Sequence, residues 1–365
     1  MVLKFYPKKD TTIYELYPAK NTGLDAILDI SKVLVNSSTY NSRILLDFDY
    51  TSISASIASL GKDPNAFSYY LKLYIAEAKE IPTDYSLECY PIADFWTMGI
   101  GRYSNSPETQ VGASWYYKES VSTPATSWQT GSYEPLVTAS WTQNPGGGTW
   151  YTSSIAQQSF SYTTSDVNLD VTDIIREVQS GSFKFNGFII KKSSTDESSS
   201  TIFNSLKFFS KDTNTVYLPV LEAKYDDSLI TGSLATVDTN SEINPVAVNL
   251  KSSYSEASSP IIRLSARLRY PVQTFTTSSV YLTRYNFPTG TTYGICSAHS
   301  DDMLVDFDTN FTKLSCDDES SYFQLHLDSF QPERYYKILL RVPNADGVTY
   351  EQYDENWIFK VTRSL

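Results

Sequence analysis

Leu169-Asp-Val-Thr-Asp-Ile-Ile-Arg-Glu-Val-Gln-Ser-Gly181, followed by Ser182-Phe-Lys-Phe-Asn-Gly-Phe-Ile-Ile190, is the stretch on which the fold turns. Val171 to Ser180 carries apolar residues at helical spacing, with Thr172 or Asp173 placed to cap its start and Gly181 its end. Asn186-Gly187 then turns the chain tightly into an apolar run that reads as a buried strand. Asp170 and Asp173 fall where a helix N-terminus offers unsatisfied N–H groups. No other segment reads convincingly as helix.

Outward from this unit the chain alternates with period two. Arg43-Ile-Leu-Leu-Asp-Phe-Asp49, Tyr69-Tyr-Leu-Lys-Leu-Tyr-Ile75 and Ser205-Leu-Lys-Phe-Phe209 read as strands, as do Ile261 to Arg269, Tyr322 to Leu327 and Tyr335 to Val342. Arg43, ahead of its apolar run, is placed to pair with a carboxylate at a sheet edge. These runs predict an all-β protein with one short helix, built as tandem antiparallel β-sandwiches. A closing strand at Pro219-Val-Leu-Glu-Ala-Lys-Tyr-Asp-Asp227 runs into Ser/Thr/Asn-rich sequence, so the boundary is set between domains 1–226 and 227–365. The second leaves open whether it is one domain or two. Residues 97–165 are rich in Gly, Ser, Thr and Trp, and Asn144-Pro-Gly-Gly-Gly-Thr149 reads as a turn among long loops.

Composition narrows the function. Lys and Arg total 29 against 41 Asp and Glu in 365 residues, a net charge of −12. That balance opposes binding to nucleic-acid phosphates or to an anionic membrane surface. No apolar run reaches the ~20 residues that span a bilayer, and the first ten residues lack a signal-peptide pattern. Cys89, Cys296 and Cys316 have neither metal-ligand spacing nor a disulfide framework; a Cys296–Cys316 bond is the one pairing left open. This usage fits synthesis in a reducing cytosol. The 28 tyrosines are the unusual feature, and they suit contact surfaces as well as β-sheet.

Chemistry-bearing constellations are sparse. Only His299 and His326 are available for imidazole catalysis, His326 in a strand with a half-exposed ring, and no Gly-x-Ser-x-Gly elbow accompanies them. The expectation is no enzyme and no cofactor. Asp301, Asp302, Asp306 and Asp308, with Asp317-Asp-Glu319, are weak candidates for a hard cation, without EF-hand spacing. The prominent candidates are rings in the loop-rich region: Tyr116, Tyr117, Trp128, Trp141, Trp150 and Tyr151, with Trp115 expected to pack inside. Such rings serve a protein–protein interface, anchor loops to a core, or stack on sugars, and all three readings stay open.

Residues 10–226 resemble the DNRLRE-type β-sandwich domain, which is also grouped with a carbohydrate-binding module family. The likeness rests on ordered pieces: Thr11-Thr-Ile-Tyr14, Arg43 to Asp49, Leu71 to Ile75, Pro91-Ile-Ala-Asp-Phe-Trp96 to Trp115, the opening helix–strand unit, and Phe208-Phe-Ser-Lys-Asp212 with Pro219-Val-Leu-Glu222. It implies a jelly-roll-like N-terminal sandwich. The closing hairpin through Asn344-Ala-Asp-Gly347 to Trp357-Ile-Phe-Lys-Val361 suggests an Ig-like C-terminal domain. The domain order resembles virion structural proteins of tailed bacteriophages, particularly cyanophage-like myoviruses. That resemblance implies a non-enzymatic, multi-copy or homo-oligomeric component of tail, neck, baseplate or fibre. It would be assembled in the host cytoplasm against other virion proteins, without nucleic acid or membrane insertion. The alternative it leaves is an adhesin module binding host surface glycan.

Overall fold

The computed structural model describes residues 1–79, 85–120, 125–128, 137–141, 145–160, 166–201, 203–240, 242–270 and 284–364, with backbone alone at 137–141 and 145. The chain is mostly β and divides into two compact units, Phe5–Ala223 and Met1–Lys4 with Lys224–Leu365. Among the described residues no helix is long and apolar enough to cross a membrane.

In the N-terminal unit the larger sheet runs Ala156–Phe160, Tyr85–Pro91, Phe188–Lys192, Ser38–Asp47, Ile27–Val35, Asn204–Phe209 and Ile75–Lys79, with Lys9–Tyr14 also on Ser38–Asp47. Strand Ser38–Asp47 makes it curl. Its first half pairs with Ile27–Val35, and its second half pairs with both Phe188–Lys192 and Lys9–Tyr14. Asn36 and Ser37, both at positive φ, form the two-residue turn that fixes the first register. The opposing sheet includes Val220–Lys224, Ser68–Leu73 and Val167–Asp170. Ile30, Ile44, Leu71, Leu169, Leu206 and Phe208 are buried in this unit.

Helix α2, Thr172–Gln179, forms where the sequence places it, but its start differs. Neither Thr172 nor Asp173 caps it. Asp170 Oδ1 accepts from the Thr172 N–H (3.0 Å), and Thr172 Oγ1 turns away to accept from the Tyr69 N–H (2.9 Å). At the far end the N–H groups of Gly181 and Ser182 donate to the carbonyls of Val178 and Glu177 (both 3.0 Å), a Schellman closure around a left-handed Gly181.

Two further helices were not legible. Helix α1, Tyr50–Ser59, is capped by Asp49 and buries only Ile53 and Ile57. Helix α3, Ser194–Ser198, is capped by Ser193. The supposed turn at Asn144–Thr149 is also different. Pro145–Tyr151 is a strand paired with Val137–Trp141, and Asn144 lies outside the described residues. Its glycines are needed for closeness: a Cβ on Gly147 (φ +85°) would stand 2.5 Å from an Arg43 nitrogen and 2.8 Å from the Trp115 ring.

The C-terminal unit stacks two sheets. One runs Ile243–Ala247, Ile261–Leu268, Ser321–Gln324 and Ser315–Cys316; the other runs Ser253–Ser255, Tyr350–Thr362, Arg334–Pro343, Thr292–Ser297 and Met303–Val305. Ile262, Leu264 and Phe323 from the first meet Ile295, Ile338 and Phe359 from the second in one core. The pairing of Ser253–Ser255 with Lys360–Thr362 is parallel, a departure from the wholly antiparallel expectation. All three cysteines are free thiols, so Cys296 and Cys316 do not bond.

Candidate functional site

Most of the loop-region rings lie inside. Trp115 and Trp128 are sealed in a cluster with Trp96 and Trp150, and Trp128 Nε1 donates to the Ser114 carbonyl (2.8 Å). Tyr151 stacks on Phe183 with ring centres 4.5 Å apart. Tyr116 and Tyr117 are half-buried and meet edge to face. Trp141 ends a described strand, but its side chain falls outside the described residues.

Arg43 explains the inward rings. It is fully buried in the sheet, not at an edge, and its guanidinium grips Glu197 with two bonds of 2.8 Å. It donates a third bond to the Gly147 carbonyl (2.6 Å), and the Trp115 and Trp150 rings lie 4.8 and 5.3 Å from it. Lys191 joins from the neighbouring strand, 3.0 Å from Glu88 and 3.6 Å from Glu197. Burial alone would raise the Glu197 carboxyl, but Arg43 and Lys191 outweigh it and hold it below its ordinary value. Two cations and two anions thus close a neutral buried network, which is structural.

Beside this cluster, apolar side chains reach solvent on a crest of irregular chain between Ile92 and Gly112. Asn21, fully buried, spends all its amide capacity there: Nδ2 donates to the carbonyls of Met98 and Ala113 (both 2.7 Å), and Oδ1 accepts from the N–H groups of Gly101 (2.8 Å) and Gly23 (3.2 Å). Gly99, at φ +82°, packs so closely that a Cβ would strike the Asn21 amide and the Val111 carbonyl. On this fixed backbone Phe95 is 60 % and Ile100 63 % exposed. The Lys9 ammonium sits 4.6 Å from the Phe95 ring centre and donates to the Trp96 carbonyl, which steadies the ring.

A groove of about 660 Å³ opens in the same unit, lined by Tyr14, Asp25, Asp29, Glu77, Tyr103 and Lys207. Tyr103 is 45 % exposed, 5.2 Å from Tyr14 centre to centre, and Lys20 lies 4.8 Å from its ring. Burial pushes Asp29 above its ordinary value against the Ser31 and Ser205 hydroxyls, and raises Asp25 likewise. Lys207 and Lys79 instead hold Glu77 at about 2. Sequence reading missed this groove because its rings stand far apart in the chain. Asp29 alone left a trace, a polar residue alternating with buried Leu28 and Ile30.

The acidic candidates in the C-terminal unit are otherwise engaged. Asp301 pairs with Lys337 (2.8 Å), Asp308 with Lys224 (3.3 Å), and Asp317 makes two bonds to Arg263 that hold it at about 2. Among the described residues no three His, Cys, Asp or Glu side chains gather to hold a metal; Asp302 and Asp306 are included in that statement. His326 is buried just past the strand Ser321–Gln324, not half-exposed within it, with Nδ1 3.3 Å from Ser259 Oγ. No protein-family model matches the chain, and no curated protein matches it in sequence.

Proposed function

We propose that this chain is a non-enzymatic structural component of a tailed-phage virion, seated in the tail, neck, baseplate or fibre apparatus and working through protein–protein contacts. The resemblance in domain order supplies the virion. The observation that carries the contact is the exposure of Phe95 and Ile100, Ile100 beside the Met98 and Gly101 backbone that Asn21 locks and Phe95 under the Lys9 ammonium. A single exposed apolar residue is ordinary. An aromatic and an aliphatic side chain on one rigid loop are different, since little ordering entropy remains to be lost when a partner covers them. The test is a particle reconstitution with the chain and with Phe95→Ser/Ile100→Ser. The double variant should fold with an unchanged melting temperature and enter particles at a tenth of the wild-type level or less. Equal incorporation, or a chain that never sediments with particles, would sink the reading.

The groove favours a second reading, an adhesin module for host surface glycan. An exposed Tyr103 face beside Asp25, Asp29 and Glu77 offers a stacking surface next to acceptors for hydroxyl groups. Glycan-array hits lost in Tyr103→Ala would support it; an array without hits would end it.

A further inference from the structure

The groove beside Tyr103 holds negative charge that the protein leaves unanswered. Asp29, Lys207 and Glu77 stand directly opposite one another on the adjacent strands Ile27–Val35, Asn204–Phe209 and Ile75–Lys79, so their side chains rise from one face of the sheet. Glu77 has two lysines, Lys207 at 2.6 Å and Lys79 at 2.7 Å. Lys20, near the Tyr103 ring, is paired with Glu108 (3.2 Å). Asp25 and Asp29 differ. Among the described residues neither makes an ion pair, and their partners are neutral: the Tyr103 N–H on Asp25 Oδ2 (2.9 Å), and the Ser31 and Ser205 hydroxyls on Asp29 (both 3.2 Å). Arg102 and Lys20 act on Asp25, and Lys207 and Lys192 on Asp29, only from beyond bonding distance. The acids of the C-terminal unit show the contrast, since Asp301, Asp308 and Asp317 each have a lysine or arginine of their own.

Each of the two carboxylates keeps lone pairs to offer. Burial raises both above their ordinary value, so a cation placed beside them is worth more than it is in water. The rest of the wall suits a polar ring. Tyr103 is exposed, with Tyr14 5.2 Å away centre to centre. Glu77 and Lys207, whose side chains are 41 and 35 % exposed, present an acceptor and a donor side by side. Ile27 and Ala76 are the apolar members.

We propose that the sugar this groove receives carries a free, protonated amino group: an unacetylated hexosamine within a glycan. The inference rests on the glycan reading of the groove and names the sugar that reading leaves open. The ammonium donates to Asp25 and Asp29, and the pyranose face lies on Tyr103. Ring hydroxyls share the Glu77–Lys207 pair, which is exposed and yields at little cost. An N-acetyl group would remove the charge and set a carbonyl against two carboxylates. A uronate would add a third anion. A lysine side chain of a partner protein would bring the charge on an alkyl stem, with no hydroxyls for Glu77 and Lys207 and only Ile27 and Ala76 to rest on.

The test titrates the full chain by calorimetry, at physiological salt, with β1,4-linked tetrasaccharides of glucosamine, N-acetylglucosamine and glucose. Tetralysine, acetylated and amidated at its ends, matches the first in charge. The glucosamine tetramer should bind about tenfold more tightly than the other three, the gain expected of charge-assisted hydrogen bonds. Asp25→Asn and Asp29→Asn should each weaken it severalfold, with circular dichroism unchanged, and the double variant should bring it down to the glucose tetramer. Asp25→Asn, at a half-buried position, reads the effect without touching the serines around Asp29. Equal binding of the glucose tetramer, tetralysine binding as well as the sugar, binding that survives the double variant, or no binding at millimolar sugar would each overturn the assignment. The glycan array separates this failure from that of the reading beneath it. Hits that all lack a free amine overturn the amino-sugar assignment alone, and an array without hits ends both.

Discussion

Asp10 carries a carboxyl almost wholly out of water, with Oδ2 accepting from the Lys211 N–H at 2.6 Å. Burial pushes its pKa up to about 7, and the neighbouring Asp212 adds to the rise. A folded value above the unfolded one means that the native state prefers the protonated acid. The stability this group lends is therefore complete below its unfolded value near 3.8 and is lost as pH climbs through about 7. Asp10→Asn keeps the acceptor and removes the titration. Thermal melts should show the variant gaining over wild type between about pH 4 and pH 7, with a level gain above; a gain independent of pH would contradict this account. Nothing in the sequence announced Asp10, because an acid at the head of a strand usually faces water. Asp170 was legible for the opposite reason, since its role as acceptor for the Thr172 N–H is settled within a few neighbouring residues. Asn186 was not: its amide donates to the Ala93 carbonyl (2.9 Å), far away in the chain.

Elements obey the same division between local and distant causes. Helix α2 could be read because its four buried side chains recur at helical spacing and Gly181 ends it. Helix α1 could not, because its serines favour no state strongly and only Ile53 and Ile57 mark a face. The glycine strand read as a turn because the cause of its glycines, Arg43 packed against Trp115, lies far away in the chain. Helix α3 is short enough to depend on its docking. Glu197 pins it to Arg43, and Lys32 reaches its carbonyls at Asp196 and Glu197 (2.9 and 2.8 Å). Glu197→Gln leaves a sealed guanidinium without its counter-charge. Urea denaturation should show a loss of about 3–5 kcal/mol, the range for breaking a buried ion pair from one side. A loss under about 1 kcal/mol would show that Gly147 and the tryptophan faces suffice to hold Arg43.

The whole molecule offers a way to read that loss in place. Cys89 is buried in the N-terminal unit and Cys296 in the C-terminal unit, each a free thiol that burial makes less acidic and so less reactive. Under pulsed alkylation along a urea gradient, Glu197→Gln should move the labelling of Cys89 to lower urea and leave that of Cys296 where it was. A joint shift would mean that the two cores melt as one. At this scale the all-β class and the buried Trp115 were legible from alternation and composition. The aromatic surface was not: the candidate rings were chosen for their place in the loop-rich region, yet Trp128, Trp150 and Tyr151 fill the interior while Phe95, Ile100 and Tyr103 meet the solvent. The amide of Asn21 has a practical corollary for anyone wishing to retarget the protein. A combinatorial library should randomise positions 95, 100 and 103 and hold 21, 99 and 101 invariant, because the latter are the chassis on which new specificities can be mounted.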